Sequence, residues 1–364
     1  MERTAKPTKP TRPTLSAQMK RRAQNDSPET PKKGKYDGSS SIVVSTGSTL
    51  LDLAITGTRS GSSFKQGGIP AGVIVEIWGP SGTGKTVMLC QIAGEIQKMG
   101  GPLMFHDPES RLNKQFALLF GVNFDGVAYS TPDTVTEVFQ GIREWKPEKV
   151  DKHTPVGIFT DSLAALSTDI EMTKDEGDKM GGRRAKEFSE QLRKTARLIT
   201  KKNIIMVCSN QIRQNMNAGP YSPKYTTPGG EAVGFYASIR LQCKNSQKIV
   251  EKKKVNDKEY TRVVGVETEI YVSKSSVDKP YRSASISIIF DYGIDDIRDN
   301  LQFLKKSMGW GMYKVRGEKV GKSLSHAIRT VEKNNLEQDL KEEVIEVWHE
   351  IESHFQSDRK PKMG

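Results

Sequence analysis

The stretch VIVEIWGPSGTGKT, residues 73–86, joins an apolar run to a glycine-rich turn and then to a helical pattern. Val73 to Trp78 read as a strand buried on both faces of a parallel sheet, because a short, glycine-bounded apolar run leaves neither face for water. After the turn, Met88, Leu89, Ile92, Ile96 and Met99 recur at helical spacing, and Gly100-Gly101 supplies a stop. Gly79, Gly84, Lys85 and Thr86 satisfy G-x-x-x-x-G-K-[ST]. The glycines let backbone N–H groups wrap a phosphate at a helix N-terminus, so Gly79, Pro80, Ser81, Gly82, Thr83, Gly84, Lys85 and Thr86 form a candidate nucleotide cradle. Lys85 would reach the β- and γ-phosphates, and the Thr86 hydroxyl would ligate Mg²⁺.

Working outward, strands and helices alternate as a parallel α/β sheet demands. PLMFHD (102–107) and GVAYS (126–130) read as strands, with a helix over 112–121 between them. Thr131 is expected to cap the next helix with Pro132 at its first position, and Val135, Val138, Phe139 and Ile142 on its buried face. VGIFTD then ends a buried strand at Asp161, where an acid that acts on Mg²⁺ from the outer coordination sphere belongs in a nucleotide-binding sheet. Glu109 lies just past the second strand, on the phosphate edge, and could orient or deprotonate an attacking water; Asp107 competes for that role. The run NIIMVC delivers Ser209, Asn210 and Gln211 to a strand end, where an amide could contact the γ-phosphate and report its loss.

Composition narrows the class. The 364 residues are 35% hydrophobic, enough for one substantial core and a satellite, and no apolar run approaches the roughly 18 residues of a membrane span. A soluble, cytoplasmic protein without membrane partners is expected. Cys90, Cys208 and Cys243 lack metal-ligand spacing, and their odd number argues for reduced thiols. HEIESH (349–354) does not place two imidazoles on one helix face, so zinc is not expected. The net charge of +12 favours a polyanionic partner such as nucleic acid. Residues 1–40 hold ten Lys and Arg against four acids, with five prolines, and read as a largely disordered tail or nucleic-acid tether.

STGSTLLDLAI (45–55), GPSGTGKT, TDSLAAL (160–166), SNQIR (209–213) and TTPGGEAVGFYASIRL (226–241) occur in the order and approximate spacing of the bacterial RecA recombinases, which the chain resembles from about Ser45 onward. The resemblance implies an α/β fold: a RecA-type P-loop ATPase core with a mostly parallel central sheet flanked by helices, over residues 41–298. It also implies a small α+β C-terminal domain over 299–358, with 359–364 as a tail. Position by position, Glu109 matches the water-activating glutamate, Asp161 the acid at the Mg²⁺ strand end, and Gln211 the glutamine coupling γ-phosphate to DNA. Phe116 falls at the aromatic that stacks on adenine and Phe290 at its opposite face, with Tyr292 as a fallback. Lys274 keeps the first of two lysines that reach the neighbouring subunit's γ-phosphate, whereas Ser276 occupies the second position and Lys279 is a possible substitute.

Two glycine-rich basic segments then become DNA-binding loops. The first, about 173–188, offers Met180, Gly181, Gly182, Arg183, Arg184 and Lys186, and joins a helix carrying Arg193. The second, 213–230, offers Arg213, Tyr221, Lys224, Gly229 and Gly230. Cations neutralise phosphates, glycines admit the backbone, and Met or Tyr side chains stack on bases. Leu15–Gln24 is the candidate for the family's subunit-packing helix, and Ile42–Val44 is expected to pair as a strand across subunits. EKKKVNDKEYTR (251–262) reads as a solvated hairpin tip, and Leu336, Leu340, Val344, Val347, Trp348, Ile351 and Phe355 as one apolar helix face. The resemblance implies a divergent, phage-type branch of the family: an ATP- and Mg²⁺-dependent recombinase forming a homo-oligomeric helical filament on single-stranded DNA, then pairing it with duplex DNA. Loading or single-strand-binding proteins are candidate partners. A ring helicase or loading ATPase, a non-hydrolysing DNA-coating scaffold and a nucleotide kinase share parts of the pattern.

Overall fold

The computed structural model describes residues 41–57, 66–147, 151–173, 181–214, 225–357 and 359. The Pro-rich segment with Leu15–Gln24, and the loop residues Met180, Tyr221 and Lys224, lie outside the described residues. In chain order the first elements are β1 (Val43–Val44), α1 (Thr49–Thr56), β2 (Ile69–Pro70), β3 (Ile74–Gly79), α2 (Lys85–Lys98), β4 (Leu103–His106), α3 (Lys114–Leu119), β5 (Ala128–Ser130) and α4 (Val135–Glu144). Next come β6 (Val156–Thr160), α5 (Asp169–Thr173), α6 (Gly181–Lys201), β7 (Ile204–Gln211), β8 (Arg213–Gln214), β9 (Tyr225–Thr226) and α7 (Glu231–Tyr236). The chain continues with β10 (Ile239–Val255), β11 (Lys258–Ser275), β12 (Ser283–Ile289), β13 (Gly293–Ile294), α8 (Asp296–Ser307), β14 (Tyr313–Val315), β15 (Glu318–Gly321), α9 (Leu324–Lys333) and α10 (Glu337–Ser353).

A nine-stranded sheet in the order β13-β12-β11-β10-β3-β7-β6-β4-β5 organises the molecule. From β10 to β5 neighbours run parallel, and β11 to β13 add an antiparallel wing. The parallel strands are apolar along their length because helices cover both faces; Val75, Ile77, Phe105, Ile158, Phe159, Ile205 and Val207 are buried. On α2, Met88, Leu89, Ile92 and Ile96 are buried, whereas Met99 sits past the helix end and is exposed.

Two local expectations change, and one short strand gains a partner. The cap of α4 is Thr134, not Thr131: its hydroxyl accepts the Glu137 N–H at 3.2 Å while the Glu137 carboxylate accepts the Asp133 N–H at 2.9 Å. This reciprocal pair satisfies two helix-end donors, which the Thr131-Pro132 start would not do. β1 pairs within its own chain along one edge, Val43 opposite Pro70 and Val44 opposite Ile69. Finally, α6 takes in the second half of the first glycine-rich segment, because Phe188, Leu192 and Ile199 supply a helical stripe that buries against the core.

The hairpin β10–β11 turns at Asn256-Asp257, both at positive φ, the geometry of a two-residue type I′ turn. At the C-terminal end, Leu301, Leu304, Val315, Ala327, Val331, Leu340, Val344 and Val347 join the same apolar cluster as Leu51, Ile55 and Ile286. The apolar face of α10 is buried as far as Val347, while Ile351 and Phe355 are exposed. The three cysteines are free and buried. Among the described residues no helix is long and apolar enough to cross a membrane.

Candidate functional site

The parallel crossovers bring the ends of β3, β4, β6 and β7 to one edge, where a cleft of about 720 Å³ opens. Ser81, Gly82, Gly84, Lys85, Thr86, Asp107, Glu109, Phe116, Asp161, Gln211 and Phe290 line it together. Gly79, Pro80 and Thr83 shape the loop from behind: Thr83 Oγ1 donates to the Pro80 carbonyl at 2.9 Å, and Gly79 packs against the Cys243 carbonyl. Gly84 stands at φ +83°, which favours glycine, and a Cβ there would lie 2.1 Å from Ile288 Cδ1, so that methyl would have to move.

Lys85 Nζ donates to the Gly79 and Pro80 carbonyls at 3.1 and 2.6 Å. Burial lowers its pKa from the ordinary lysine value, opposed by acidic neighbours including Asp161 and Glu109. Thr86 Oγ1 donates to Asp161 Oδ2 at 2.5 Å, and the Ser209 hydroxyl donates to Asp161 Oδ1. The register Thr160 opposite Cys208 sets Asp161 beside Ser209. A hydroxyl and a carboxylate at contact distance on the phosphate edge are hard oxygen donors and fit Mg²⁺, which is bound through one or two carboxylates plus substrate phosphates.

The two candidate acids separate on their partners. Asp107 is buried, and its Oδ2 accepts the Leu112 N–H at 2.7 Å and the Tyr129 hydroxyl at 2.8 Å, so it is engaged in holding the loop after β4. Glu109 lines the same cleft but is only partly buried, with Oε1 3.3 Å from Gln211 Nε2 and 3.4 Å from Ser162 Oγ, and Oε2 2.7 Å from Arg111 Nη1. Phe116 and Phe290 line the same cleft, Phe290 half exposed.

Other predicted residues lie elsewhere. Lys274 is on β11 and does not line the cleft; its Nζ donates to the Gly234 and Phe235 carbonyls at 2.9 and 2.8 Å. Ser276 and Lys279 are exposed beyond it. Gly181 and Gly182 open α6, Arg183, Lys186 and Arg193 are exposed along it, and Arg184 pairs with Glu171 at 3.1 Å. Arg213 begins a short stem in which β8 pairs antiparallel with β9, placing both ends of the second segment together. Gly229 and Gly230 close that segment at positive φ, just before α7.

Residues 31–295 match the RecA N-terminal domain family. The chain belongs to the RecA family. It is 35% identical over 303 residues to Protein RecA of Delftia acidovorans, covering 80% of this chain and 75% of that protein. It is 33% identical over 325 residues to Protein RecA of Marinobacter nauticus, covering 88% and 84%. The nine-stranded sheet with its mostly parallel half is the fold of a RecA-like recombinase. Within this RecA-family site, sequence reasoning missed Ser209 as a contact of Asp161 and Ser162 as a contact of Glu109, because each meets its partner across neighbouring strand ends, and it missed Arg111, which pairs with Glu109 two residues away in the same loop. Two other residues were missed, Glu76 and Arg240, which form an ion pair at 2.6 Å. An acid inside an apolar strand run was their one visible signal.

Proposed function

We propose that this RecA-family protein is a DNA-dependent ATPase that assembles as a helical filament on single-stranded DNA and promotes pairing and strand exchange with a homologous duplex. The observation that carries the reading is the contact between Glu109 and Gln211, since Gln211 ends β7 two residues before the stem of the second candidate DNA-binding segment. A carboxylate placed to orient water and an amide placed to sense the γ-phosphate thus share one hydrogen bond next to a DNA loop.

In this reading the phosphate loop binds the triphosphate through its backbone N–H groups, and Lys85 leaves its loop carbonyls to pair with the β- and γ-oxygens. Phe116 and Phe290 hold the adenine. Thr86 and Asp161 are the residues that would hold Mg²⁺, which supplies charge neutralisation of the phosphates. Glu109 aligns the attacking water, and Gln211 exchanges its bond to Glu109 for one to the γ-phosphate, ordering the second segment around DNA. Lys274 is the group offered to the neighbouring protomer's nucleotide. Arg183, Lys186, Arg193 and Arg213, with Met180, Tyr221 and Lys224, contact the strand. The cytoplasm is the expected compartment, and duplex DNA and loading proteins are later partners.

Lys85→Ala tests the reading: it should abolish nucleotide-dependent binding to a single-stranded oligonucleotide and filament formation seen by negative-stain microscopy. Binding that is equally tight with and without ATP in the unmodified protein would overturn it.

A further inference from the structure

Glu76 is fully buried in β3, three residues before the phosphate loop. A buried carboxylate is costly unless paired, and a buried pair is a poor source of stability compared with apolar side chains, so its presence calls for another role. The strand registers place Glu76 opposite Arg240 on β10, and Arg240 opposite Lys274 on β11. Side chains directly opposite one another share a sheet face, so the three form one charged row running from the phosphate-loop strand to the lysine expected to act across subunits.

Each member is held by specific contacts. Arg240 Nε donates to Glu76 Oε2 at 2.6 Å, and its guanidinium lies 5.0 Å from the Trp78 ring. A Cβ on Gly234 would sit 2.9 Å from that guanidinium, so glycine at this position admits Arg240 against α7. Lys274 bonds the carbonyls of Gly234 and Phe235 on the same helix. Burial lowers the Lys274 pKa, with Arg240 adding to the effect and Glu76 opposing it, so the charges sense one another. On the other side, Asn210 Nδ2 donates to Glu76 Oε1 at 3.0 Å and to the Pro228 carbonyl at 3.1 Å, while its Oδ1 accepts the Gln211 N–H at 3.0 Å. Pro228 lies at the exit of the second candidate DNA segment.

We infer that Glu76 is a positioning residue: through Asn210 it sets Gln211 and the exit of the second segment, and through Arg240 it sets α7 and Lys274. The phosphate sensor of one site and the lysine presented to the next protomer are thereby held in one register, so that DNA binding and turnover stay coupled. This inference rests on the ATPase and DNA roles proposed above.

The test is steady-state ATP hydrolysis by the full-length protein with and without single-stranded DNA, alongside thermal melts. In Glu76→Gln, DNA-stimulated kcat should fall about tenfold while basal turnover and the KM for ATP stay within about twofold. Gly234→Ala, which crowds the guanidinium, should move in the same direction. Arg240→Lys, which keeps a charge for Glu76, should retain most of the stimulation. If Glu76→Gln fails to fold, Glu76→Met/Arg240→Met decides, because replacing both partners leaves no unpaired buried charge. Stimulation at the unmodified level in a folded Glu76→Gln or double variant overturns the inference, and so does a parallel fall of basal and stimulated rates. An unmodified protein that DNA does not stimulate would refute the proposed function itself, and the coupling role with it.

Discussion

Replacing Gly84 with alanine isolates the steric demand of the phosphate loop. The residue is left-handed at φ +83°, a conformation that costs an L-residue about 1–2 kcal/mol. The new Cβ would also lie 2.1 Å from Ile288 Cδ1, inside van der Waals contact, and forcing extra volume into a packed core costs about 1–3 kcal/mol. Together the expected loss is about 2–5 kcal/mol. For a chain of this size about 2 °C of melting temperature accompanies each kcal/mol, so calorimetry should show a fall of about 4–10 °C. Nucleotide binding should weaken in parallel, since the Gly84 and Lys85 N–H groups must shift. Ile288→Val removes the clashing Cδ1 at a cost of about 0.5–1.5 kcal/mol on its own. Combined with Gly84→Ala it should recover the steric share and leave the backbone share, giving a favourable coupling of about 1–3 kcal/mol. A Gly84→Ala protein that melts with the unmodified one, or a strictly additive double variant, would refute this reasoning.

Other consequences concern the acids. Glu109→Gln should lower ATP turnover by about 100-fold or more with nucleotide affinity nearly unchanged, as measured by phosphate release and by titration with a fluorescent ATP analogue. Asp107→Asn should act mainly on stability, because it removes a charged acceptor from the Leu112 N–H and the Tyr129 hydroxyl; equal turnover losses in the two variants would contradict the assignment. Asp161→Asn should raise the Mg²⁺ concentration needed for half-maximal turnover, and an unchanged Mg²⁺ dependence would exclude Asp161 as a ligand. Burial raises Asp52 from an ordinary 3.8 to about 7 and Asp299 to about 8. Because the folded state holds these protons more tightly than the unfolded state, their contribution is fully present below pH 3.8 and lost as pH rises through 7 and 8. Asp52→Asn should therefore flatten the fall in urea midpoint between pH 4 and pH 7, and an unaltered slope would count against it.

The phosphate loop, the strand–helix alternation and Asp161 were legible because each depends on near neighbours in the chain. Apolar runs bounded by glycine declare buried strands, and the left-handed glycines declare the loop. The α4 cap was legible too, in the T-x-x-E spacing of Thr134 and Glu137, but the Pro132 signal beside it pointed three residues early. The pairing of β1 with β2 was not legible, since strand runs alone do not say whether a partner lies in the same chain. Helix α6 overrode the glycines at its start because burial of Phe188 and Leu192 outweighs the helix cost of two glycines, about 1 kcal/mol each.

By itself the sequence determined the class of fold, the glycine-rich turn between β3 and α2 that is the candidate phosphate cradle, and the inventory of acids and cations, all of which follow from spacing along the backbone. Only the tertiary structure decided which acid is taken up in holding the loop after β4 and which stands beside Gln211, since Asp107 and Glu109 lie two residues apart and both line the cleft. It likewise decided that Thr86, Asp161 and Ser209 meet, and that Glu76, Arg240 and Lys274 line up across three strands. Those meetings depend on crossovers and strand register, which bring residues tens to hundreds of positions apart within hydrogen-bond reach.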